Sequence, residues 1–162
     1  NAPVTLSVGY NEALIKSLCA KILEAKAKHG KADKDNDMKL QLSGVYINHD
    51  VLYFRLRLQN KSNVSYDADN ISFTIKDKQK PKRTATQELS LTPVYSYNPF
   101  TTVEADSSAT CVIALPKFTL PDSRCLSIQI LEKNGGRNLN INLKNRHIMK
   151  AASINIPKEI TN

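Results

Sequence analysis

The sequence predicts a mainly β protein: an immunoglobulin-like antiparallel β-sandwich of about seven strands with one N-terminal α-helix. Two observations carry this prediction. Within Val51–Leu58 apolar and polar residues alternate with a period of two, which points one set of side chains toward a core. Similar short segments recur along the chain from Met38, each bounded by residues that favour turns. A series of short, half-buried strands is typical of a sandwich.

One segment near the start of the chain, Asn11–His29, has the spacing of an amphipathic helix. Apolar residues recur there at three- and four-residue steps. Asn11 is a favourable N-cap, and Gly30 is placed to end the helix. The residues that follow, up to Asp37, are charged or small and predict a linker. The helix is therefore expected to be peripheral to the core of the sheets.

The change of period at Met38 divides the chain into three predicted regions. Residues 1–37 are expected to form the N-terminal helix and charged linker, a connector to a preceding domain that this sequence lacks. Residues 38–152 are expected to form the β-sandwich domain, and residues 153–162 a C-terminal tail. Within the tail, Ile154–Ile156 either adds an edge strand or frays.

The alternation of apolar and polar residues defines the predicted strands. They are Leu40–Ile47, Val51–Leu58, Ile71–Lys78, Gln87–Val94, Thr110–Leu115, Leu126–Glu132 and Leu139–Leu143. Residues 110–115 are almost continuously apolar and are expected to be buried on both faces. In contrast, Arg55 and Arg57 are expected to point into water. Tyr95–Pro99 is predicted to be a loop, and Asn134-Gly135-Gly136 a hairpin turn.

Composition and charge exclude several classes of protein. The 162 residues are 41% hydrophobic and 23% charged, as in an ordinary globular domain rather than a disordered chain. The sequence contains no run of about 20 apolar residues, so it predicts no membrane span. With 23 Lys and Arg against 15 Asp and Glu, the net charge is +8. This charge favours an acidic partner, such as nucleic acid, anionic lipid or an acidic protein face.

No arrangement of reactive residues predicts an enzyme, a cofactor site or a metal site. The three histidines, His29, His49 and His147, lack the spacing of metal ligands. Cys111 and Cys125 are expected to be buried thiols, with a disulfide between them as the alternative in an oxidising compartment. The motifs of serine nucleophiles are missing from the sequence. We therefore predict no catalytic residue, no cofactor and no small-molecule substrate.

The sharpest local feature is a basic run whose cations are Lys76, Lys78, Lys80, Lys82 and Arg83. At a period of two, the four lysines would project from one face of a strand. One explanation is an edge strand that lysines and a proline protect from pairing with another chain. The other explanation is a cationic contact for an acidic partner. These five residues are therefore the candidate partner-binding site.

Several short motifs occur in an order that matches a known family. They are Asn60-Lys61-Ser62-Asn63, Tyr66-Asp67, Phe73-Thr74-Ile75-Lys76-Asp77-Lys78, Lys82-Arg83-Thr84-Ala85, Gln87-Glu88, Lys117-Phe118-Thr119 with Pro121-Asp122, and Glu132-Lys133-Asn134-Gly135-Gly136-Arg137. From about Leu40 to Ala152 the chain resembles the TraN family of conjugative-transposon proteins from Bacteroides-like bacteria. Members of that family are longer, with a secretory start and an N-terminal domain. The resemblance thus implies that this chain is the C-terminal region.

The resemblance implies a structural part of a conjugative, type IV-like DNA-transfer apparatus, at the periplasmic face of the outer membrane. A more distant analogy is the VirB9-type core-complex subunit, whose C-terminal β-sandwich binds a small lipoprotein. The implied partners are other transfer-apparatus proteins, with a lipoprotein as one candidate. Exposed sheet edges would suit partners that bind by strand addition.

Two other kinds of function stay open on the sequence. Direct contact of nucleic acid with the run Lys76–Arg83 would neutralise phosphates and weaken steeply with salt. A cell-surface adhesin or glycan-binding sandwich would expose Tyr95, Tyr97 and Phe100 together as an aromatic platform. The expectation from the motifs is nevertheless a non-enzymatic assembly module that acts through protein–protein contacts.

Overall fold

The computed structural model describes residues 10–79 and 87–156. In this part of the chain the helices are α1 (Glu12–Leu23) and α2 (Asn145–Met149). The strands are β1 (Ala32–Asp35), β2 (Met38–Asn48), β3 (Val51–Asn60), β4 (Tyr66–Asp67), β5 (Ser72–Asp77), β6 (Leu89–Leu91), β7 (Tyr95–Tyr97), β8 (Thr102–Val103), β9 (Ser107–Pro116), β10 (Arg124–Ile130), β11 (Leu139–Leu143) and β12 (Ala152–Ser153). The predicted mainly β fold with an N-terminal helix is confirmed, although the strands are more numerous than predicted, and β2, β3 and β9 are longer than the segments predicted for them.

The strands form two main sheets. The larger sheet has the order β1-β2-β3-β9-β7. β12 pairs in parallel with β2 at Tyr46 and Ile47, beyond the part of β2 that pairs with β1. The smaller sheet has the order β11-β10-β5-β6, and β4 pairs with β8 separately. All pairings except that of β12 are antiparallel. The edge strand β12 is formed by Ala152–Ser153, and Ile154–Ile156, for which an edge strand was one of two alternatives, is not a strand, although the Ile154 amide donates to the Ile47 carbonyl at 3.0 Å.

The two sheets bury their facing sides against each other. The alternating set predicted from the sequence, Leu52, Phe54, Leu56 and Leu58, lies wholly in this core. The ring centroids of Phe54 and Phe73, from opposite sheets, are 6.0 Å apart. Each large apolar side chain buried in this way contributes roughly 1.5–3 kcal/mol to folding. The alternation in β3 therefore determines which face of the larger sheet points inward.

A second core lies on the outer face of the larger sheet, where α1 packs. Leu18, Cys19 and Ile22 of the helix are fully buried there, together with Tyr53 of β3 and Val112 of β9. The helix is thus outside the core between the sheets, as expected, but it covers a core of its own. This cover explains why residues 111–115 are buried on both faces, which confirms the prediction for that strand.

The helix is shorter than predicted. The side chain of Asn11 accepts a hydrogen bond from the Leu14 amide at 3.1 Å, as expected of an N-cap, but the helix ends at Leu23. Beyond it the chain joins the edge of the larger sheet, where the Lys28 amide donates to the Ser43 carbonyl at 3.0 Å. The predicted linker therefore contains a strand, β1, because its alternating residues pair with β2.

Arg55 does not point into water, which corrects the sequence prediction. It is only 9% exposed and lies between the helix and the sheet. One guanidinium nitrogen donates to the Ser43 hydroxyl at 2.8 Å, and the other donates to the Leu23 carbonyl at 3.1 Å. This carbonyl belongs to the last turn of α1, where unpaired carbonyls and the helix dipole favour a cation. Arg57, one outward position further along β3, is partly exposed.

The predicted loop at Tyr95–Pro99 contains an edge strand. Tyr95 to Tyr97 form β7 and pair with β9. The sequence did not show this because tyrosine and serine alternate here without aliphatic residues.

The short helix α2 was also not predicted. Its N-terminus is closed by His147, whose Nδ1 accepts a hydrogen bond from the Lys144 amide at 2.9 Å. Burial is the main cause of the lowered pKa of His147.

Carboxylates of β1 close one side of the sandwich. Asp33 accepts a hydrogen bond from the Asn140 amide at 2.8 Å, and Asp35 accepts one from the Asn138 amide at 3.0 Å. The Asn140 amide lies in β11, the edge of the smaller sheet, and Asn138 directly precedes that strand. Side-chain oxygens thus take the places that a further strand would occupy, which protects this edge from pairing with another chain. The charged segment that the sequence predicts to be a linker thus protects the edge of the smaller sheet.

No helix within residues 10–79 and 87–156 is both long and apolar enough to span a membrane.

Gly30 was predicted to close the helix, but its role is different, because α1 ends at Leu23. A methyl group added at Gly30 would collide with the backbone carbonyl of Leu42 on β2. Glycine therefore permits the close approach of the segment after α1 to the sheet edge.

We expect Gly30→Ala to lower the free energy of unfolding by about 1–3 kcal/mol, because the backbone must shift to relieve the overlap. Gly136→Ala is the matched control, since a methyl group there meets nothing within 4 Å, and its effect should stay within about 0.5 kcal/mol. Urea unfolding of both variants measures the difference. Equal stabilities of the two variants would contradict this role of Gly30.

Candidate functional site

The basic run predicted as the partner-binding site is described only in part. Lys76 and Lys78 lie within the described residues, whereas Lys80, Lys82 and Arg83 lie outside them. Lys76 projects from the outer face of β5, on the side opposite the buried Phe73 and Ile75. Lys78 follows the end of the strand, so the strand alternation ends at Asp77 in the described part of the run. The structure therefore does not bring the lysines together on one strand face within the described part.

Along Phe73–Ile75 the strand that contains Lys76 pairs on both sides, whereas Lys76 itself pairs with β10 alone among the described residues. Its strand, β5, lies inside the smaller sheet, between β10 and β6. Carboxylates also lie beside the described lysines. Asp77 forms a salt bridge with Arg124 at 3.6 Å, and an open cleft of about 480 Å³ is lined by Asp77, Lys78 and Asp122. The local charge here is mixed, which weakens the reading of this segment as a phosphate-binding groove.

A second group of motif residues meets at the opposite end of the sandwich, around Arg137. The two halves of its guanidinium contact Glu132, with Nη2 at 2.6 Å from Oε2 and Nε at 3.1 Å from Oε1. The same guanidinium donates to the Ser62 hydroxyl at 3.0 Å and to the Ser65 carbonyl at 2.8 Å. We call Glu132, Arg137, Ser62, Ser65 and Tyr66 the Arg137 clamp.

Tyr66 completes the Arg137 clamp. Its ring lies under the guanidinium, 5.3 Å from the centroid to the guanidinium carbon, in a cation–π arrangement. Its hydroxyl donates to the Arg137 carbonyl at 2.9 Å. Burial of the phenol raises the pKa of Tyr66 to about 12, so it stays a hydrogen-bond donor at neutral pH. The clamp thereby joins the loop after β3 to the hairpin between β10 and β11.

The ion pair in the Arg137 clamp is largely removed from solvent. The side chains of Arg137 and Glu132 are 12% and 13% exposed. Hydrogen bonds from Arg137 lower the pKa of Glu132, and the same contact raises the pKa of Arg137. A bidentate pair with further carbonyl and hydroxyl partners satisfies most of the guanidinium donors. These contacts hold the loops at this end in one arrangement.

A cleft of about 300 Å³ opens beside the clamp. Its walls include Asp67, Thr102 and Lys133, and Phe100 lies at its base. Asp67 accepts a hydrogen bond from the Thr102 hydroxyl at 2.7 Å, while the Lys133 amide donates to the Asp67 carbonyl at 2.8 Å. The walls are therefore preformed by bonds between β4, β8 and the β10–β11 hairpin.

A second cleft, of about 260 Å³, opens between the two sheets where the chain passes from β6 to β7. Its apolar lining includes Phe73 and Ile113, which belong to the core between the sheets. Ser96 of β7 pairs with Ile113 and so occupies an inward position, but it is small and exposed. A large apolar residue at this position would fill the gap. The space between the two sheets is therefore open to solvent beside the edge strand β7.

The aromatic platform expected of a glycan-binding protein is not formed. Phe100 is only 8% exposed and packs in the core between the sheets. Tyr95 and Tyr97 pack on the other side of the larger sheet, against the core beneath α1. The three rings thus face different cores, because Phe100 follows the end of β7 and the chain turns there at Asn98, where φ is 53°.

The three cysteines are buried free thiols, as predicted for Cys111 and Cys125, and the alternative disulfide is not formed. Burial raises the pKa of Cys19 to about 12 and also raises that of Cys111. Both thiols therefore stay protonated at neutral pH and behave as small apolar groups. Among the described residues, no group of three or more His, Cys, Asp or Glu side chains is arranged to hold a metal ion.

We expect Arg137→Ala to lower the free energy of unfolding by about 3–5 kcal/mol, because it leaves the Glu132 carboxylate poorly solvated and unpaired. Lys133→Ala is the control in the same hairpin, since Lys133 is exposed, and its effect should stay within about 0.5 kcal/mol. Chemical unfolding of both variants gives the comparison. A loss below about 1 kcal/mol for Arg137→Ala would show that the clamp is not a structural support.

The lowered pKa of Glu132 predicts a loss of stability in acid. Its stabilising effect is complete above the ordinary pKa of a glutamate, and it fades as the pH falls below about 5 toward the lowered value. Glu132→Gln lacks this titration. The difference in free energy of unfolding between the chain and this variant should therefore shrink between about pH 7 and pH 3. Unfolding curves across that range test this, and a constant difference would refute it.

A comparison with curated proteins found no match to this chain. A comparison with known protein families matches residues 12–153 to the Domain of unknown function (DUF4138). The matched range begins with the first residue of α1 and ends with the last residue of β12, so it includes both main sheets and the three clefts described above. The chain therefore belongs to the DUF4138 family.

Proposed function

We propose that this chain is a non-enzymatic structural component of a conjugative, type IV-like DNA-transfer apparatus, and that it acts through protein–protein contacts. The proposed partners are other transfer-apparatus proteins, a lipoprotein being one candidate. The proposed location is the periplasm, at the outer membrane. These proposals rest on the motif series that resembles the TraN family, and the membership in the DUF4138 family is compatible with them.

One observation carries the proposal: motifs distant in the sequence meet at one solvent-facing end. Ser62, Tyr66, Glu132 and Arg137 come from three separate motifs, and the Arg137 clamp binds them into one unit. The polar groups of the clamp form hydrogen bonds with one another. They fix the conformation of the loops and do not present reactive atoms. A rigid surface of this kind suits docking of another protein.

The open side of the sandwich supplies the proposed contact. Within the described residues, β7 pairs only with β9, so its outer edge offers backbone amides and carbonyls to a further strand. The cleft between the sheets lies directly beside this edge, at Ser96. An extended segment of a partner would pair with the edge and place one large apolar side chain in the cleft.

The two sides of the sandwich differ in a way that supports this choice. On the β11 side, Asp33 and Asp35 occupy the hydrogen-bonding positions of the edge. On the β7 side no such side-chain cap is formed by the described residues, and the inward position carries a serine. Among the described residues, side chains therefore cap the edge at β11 and not the edge at β7.

Ser96→Lys should abolish co-purification of the full-length protein with its transfer-apparatus partners, because a charged side chain would fill the apolar cleft. The measurement is affinity purification after crosslinking from cells that carry the transfer genes, with nuclease treatment to remove bridging DNA. Ser17→Lys, on the exposed face of α1, is the matched control and should retain the partners.

The purified chain should melt at nearly the same temperature with either substitution, since both serines are exposed. A full-length protein that purifies as a solitary monomer, with no transfer protein in any condition, would overturn the proposed function. Retention of all partners by Ser96→Lys would overturn the edge of β7 as the contact while leaving the assembly role standing.

A further inference from the structure

The part of the larger sheet that α1 leaves uncovered carries an ordered set of cations. The register of the four strands places Lys34, Lys39, Gln59 and Ser108 in one outward row across the sheet. The row beside it consists of Ala32, Gln41, Arg57 and Thr110. Their neighbours along each strand, such as Leu40 and Leu58, point into the core. We call these two rows, with the adjacent Lys61, the cationic face.

The cations of this face are not neutralised within the described residues. Lys34 and Lys39 are direct cross-strand neighbours, and like charges in such positions repel each other. The salt bridges of the described chain involve other cations, namely Lys117, Arg124 and Arg137. No carboxylate occupies either row. The like charges of Lys34 and Lys39 are therefore not offset by a salt bridge within the described residues.

The cationic face also contains a depression. A hollow of about 340 Å³ is lined by Arg57, Gln59, Lys61, Asp106 and Ser108. Arg57 donates to the Ser108 hydroxyl at 3.2 Å, which orients the guanidinium across the sheet. Asp106 lies at the rim, in the turn before β9, and its amide bonds to the Ser62 carbonyl. Cations, amides and hydroxyls thus converge on a hollow that has one carboxylate at its edge.

We infer that the cationic face binds an acidic peptide segment of a partner protein, whose carboxylates pair with Arg57, Lys39 and Lys61. Charge complementarity is the basis of this assignment. Arginine favours carboxylates because its planar fork can hold both oxygens, and the neighbouring amides and hydroxyls can donate to the peptide backbone. The contact would exist whether or not the chain is part of a transfer apparatus, since it involves a different surface from the edge of β7.

The chemistry of the face favours a peptide over nucleic acid. Neither row contains an aromatic side chain, so bases would have nothing on which to stack. The face carries four cations, counting Lys34, Lys39, Arg57 and Lys61, whereas proteins that hold duplex DNA through its phosphates typically neutralise about 6–10 of them. A short run of carboxylates matches the small number of these cations better.

The test is binding of a fluorescent oligoglutamate peptide to the full chain, followed by fluorescence anisotropy at low salt. We expect measurable binding that weakens as salt is added, and about a tenfold loss of affinity in the double variant Lys39→Glu/Arg57→Glu. Lys16→Glu/Lys26→Glu is the matched control, with one lysine on α1 and the other in the segment after it, because both are exposed and the charge change is the same. It should bind within about threefold of the unmodified chain.

The melting temperature of the double variant is measured beside the binding, because Lys39→Glu removes the repulsion from Lys34 whereas Arg57→Glu gives up the hydrogen bond to Ser108. The inference is overturned if the chain does not bind the peptide, or if the two double variants lose affinity equally. A single-stranded DNA oligonucleotide and vesicles containing phosphatidylglycerol are the competing probes. Tighter binding of either one that depends on Lys39 and Arg57 would also overturn the assignment to a peptide.

Discussion

The burial of β3 and β9 on both faces is the constraint on which the rest of this structure depends. Their inward side chains fill the space between the two sheets, and the outward side chains of Val51, Tyr53, Val112 and Ala114 lie in the core beneath α1. Each strand therefore has to satisfy two packing partners at once, and a shift of register by one residue would exchange the two faces. The other strands are arranged around this pair, and the positions left outside both cores are those available for contacts.

Two buried guanidiniums connect elements that the cores alone would leave loosely joined. Arg55 ties the end of α1 to β2 and β3 through neutral oxygens. Arg137 ties the loop after β3 to the β10–β11 hairpin, and there a carboxylate balances the charge. The difference follows from position, because the last turn of a helix supplies partial negative charge that a hairpin lacks. Both residues sit where a planar group with several donors can reach more than one element.

The motif residues of the candidate site were visible in the sequence, but their grouping was not. The Glu132–Arg137 motif and the Asn60–Asn63 motif are about seventy residues apart, yet Arg137 bonds to Ser62. The basic run is visible in the sequence because its cations lie close together along the chain. In the structure, the described lysines of the run, Lys76 and Lys78, lie near carboxylates of other segments. A local charge count cannot include neighbours that only the pairing of β5 with β10 brings near.

The sequence by itself determined the fold class, the inward face of the long strands and the start of α1, because periodicity and helix capping act over a few neighbouring residues. The burial of Arg55, the strand within the charged segment and the arrangement of the clefts became apparent only in the tertiary structure. Each of those depends on which segments become neighbours, and that choice is made by packing and hydrogen bonding between residues far apart in the chain. The same reason explains the cationic face, since its rows run across four strands and exist only in the assembled sheet.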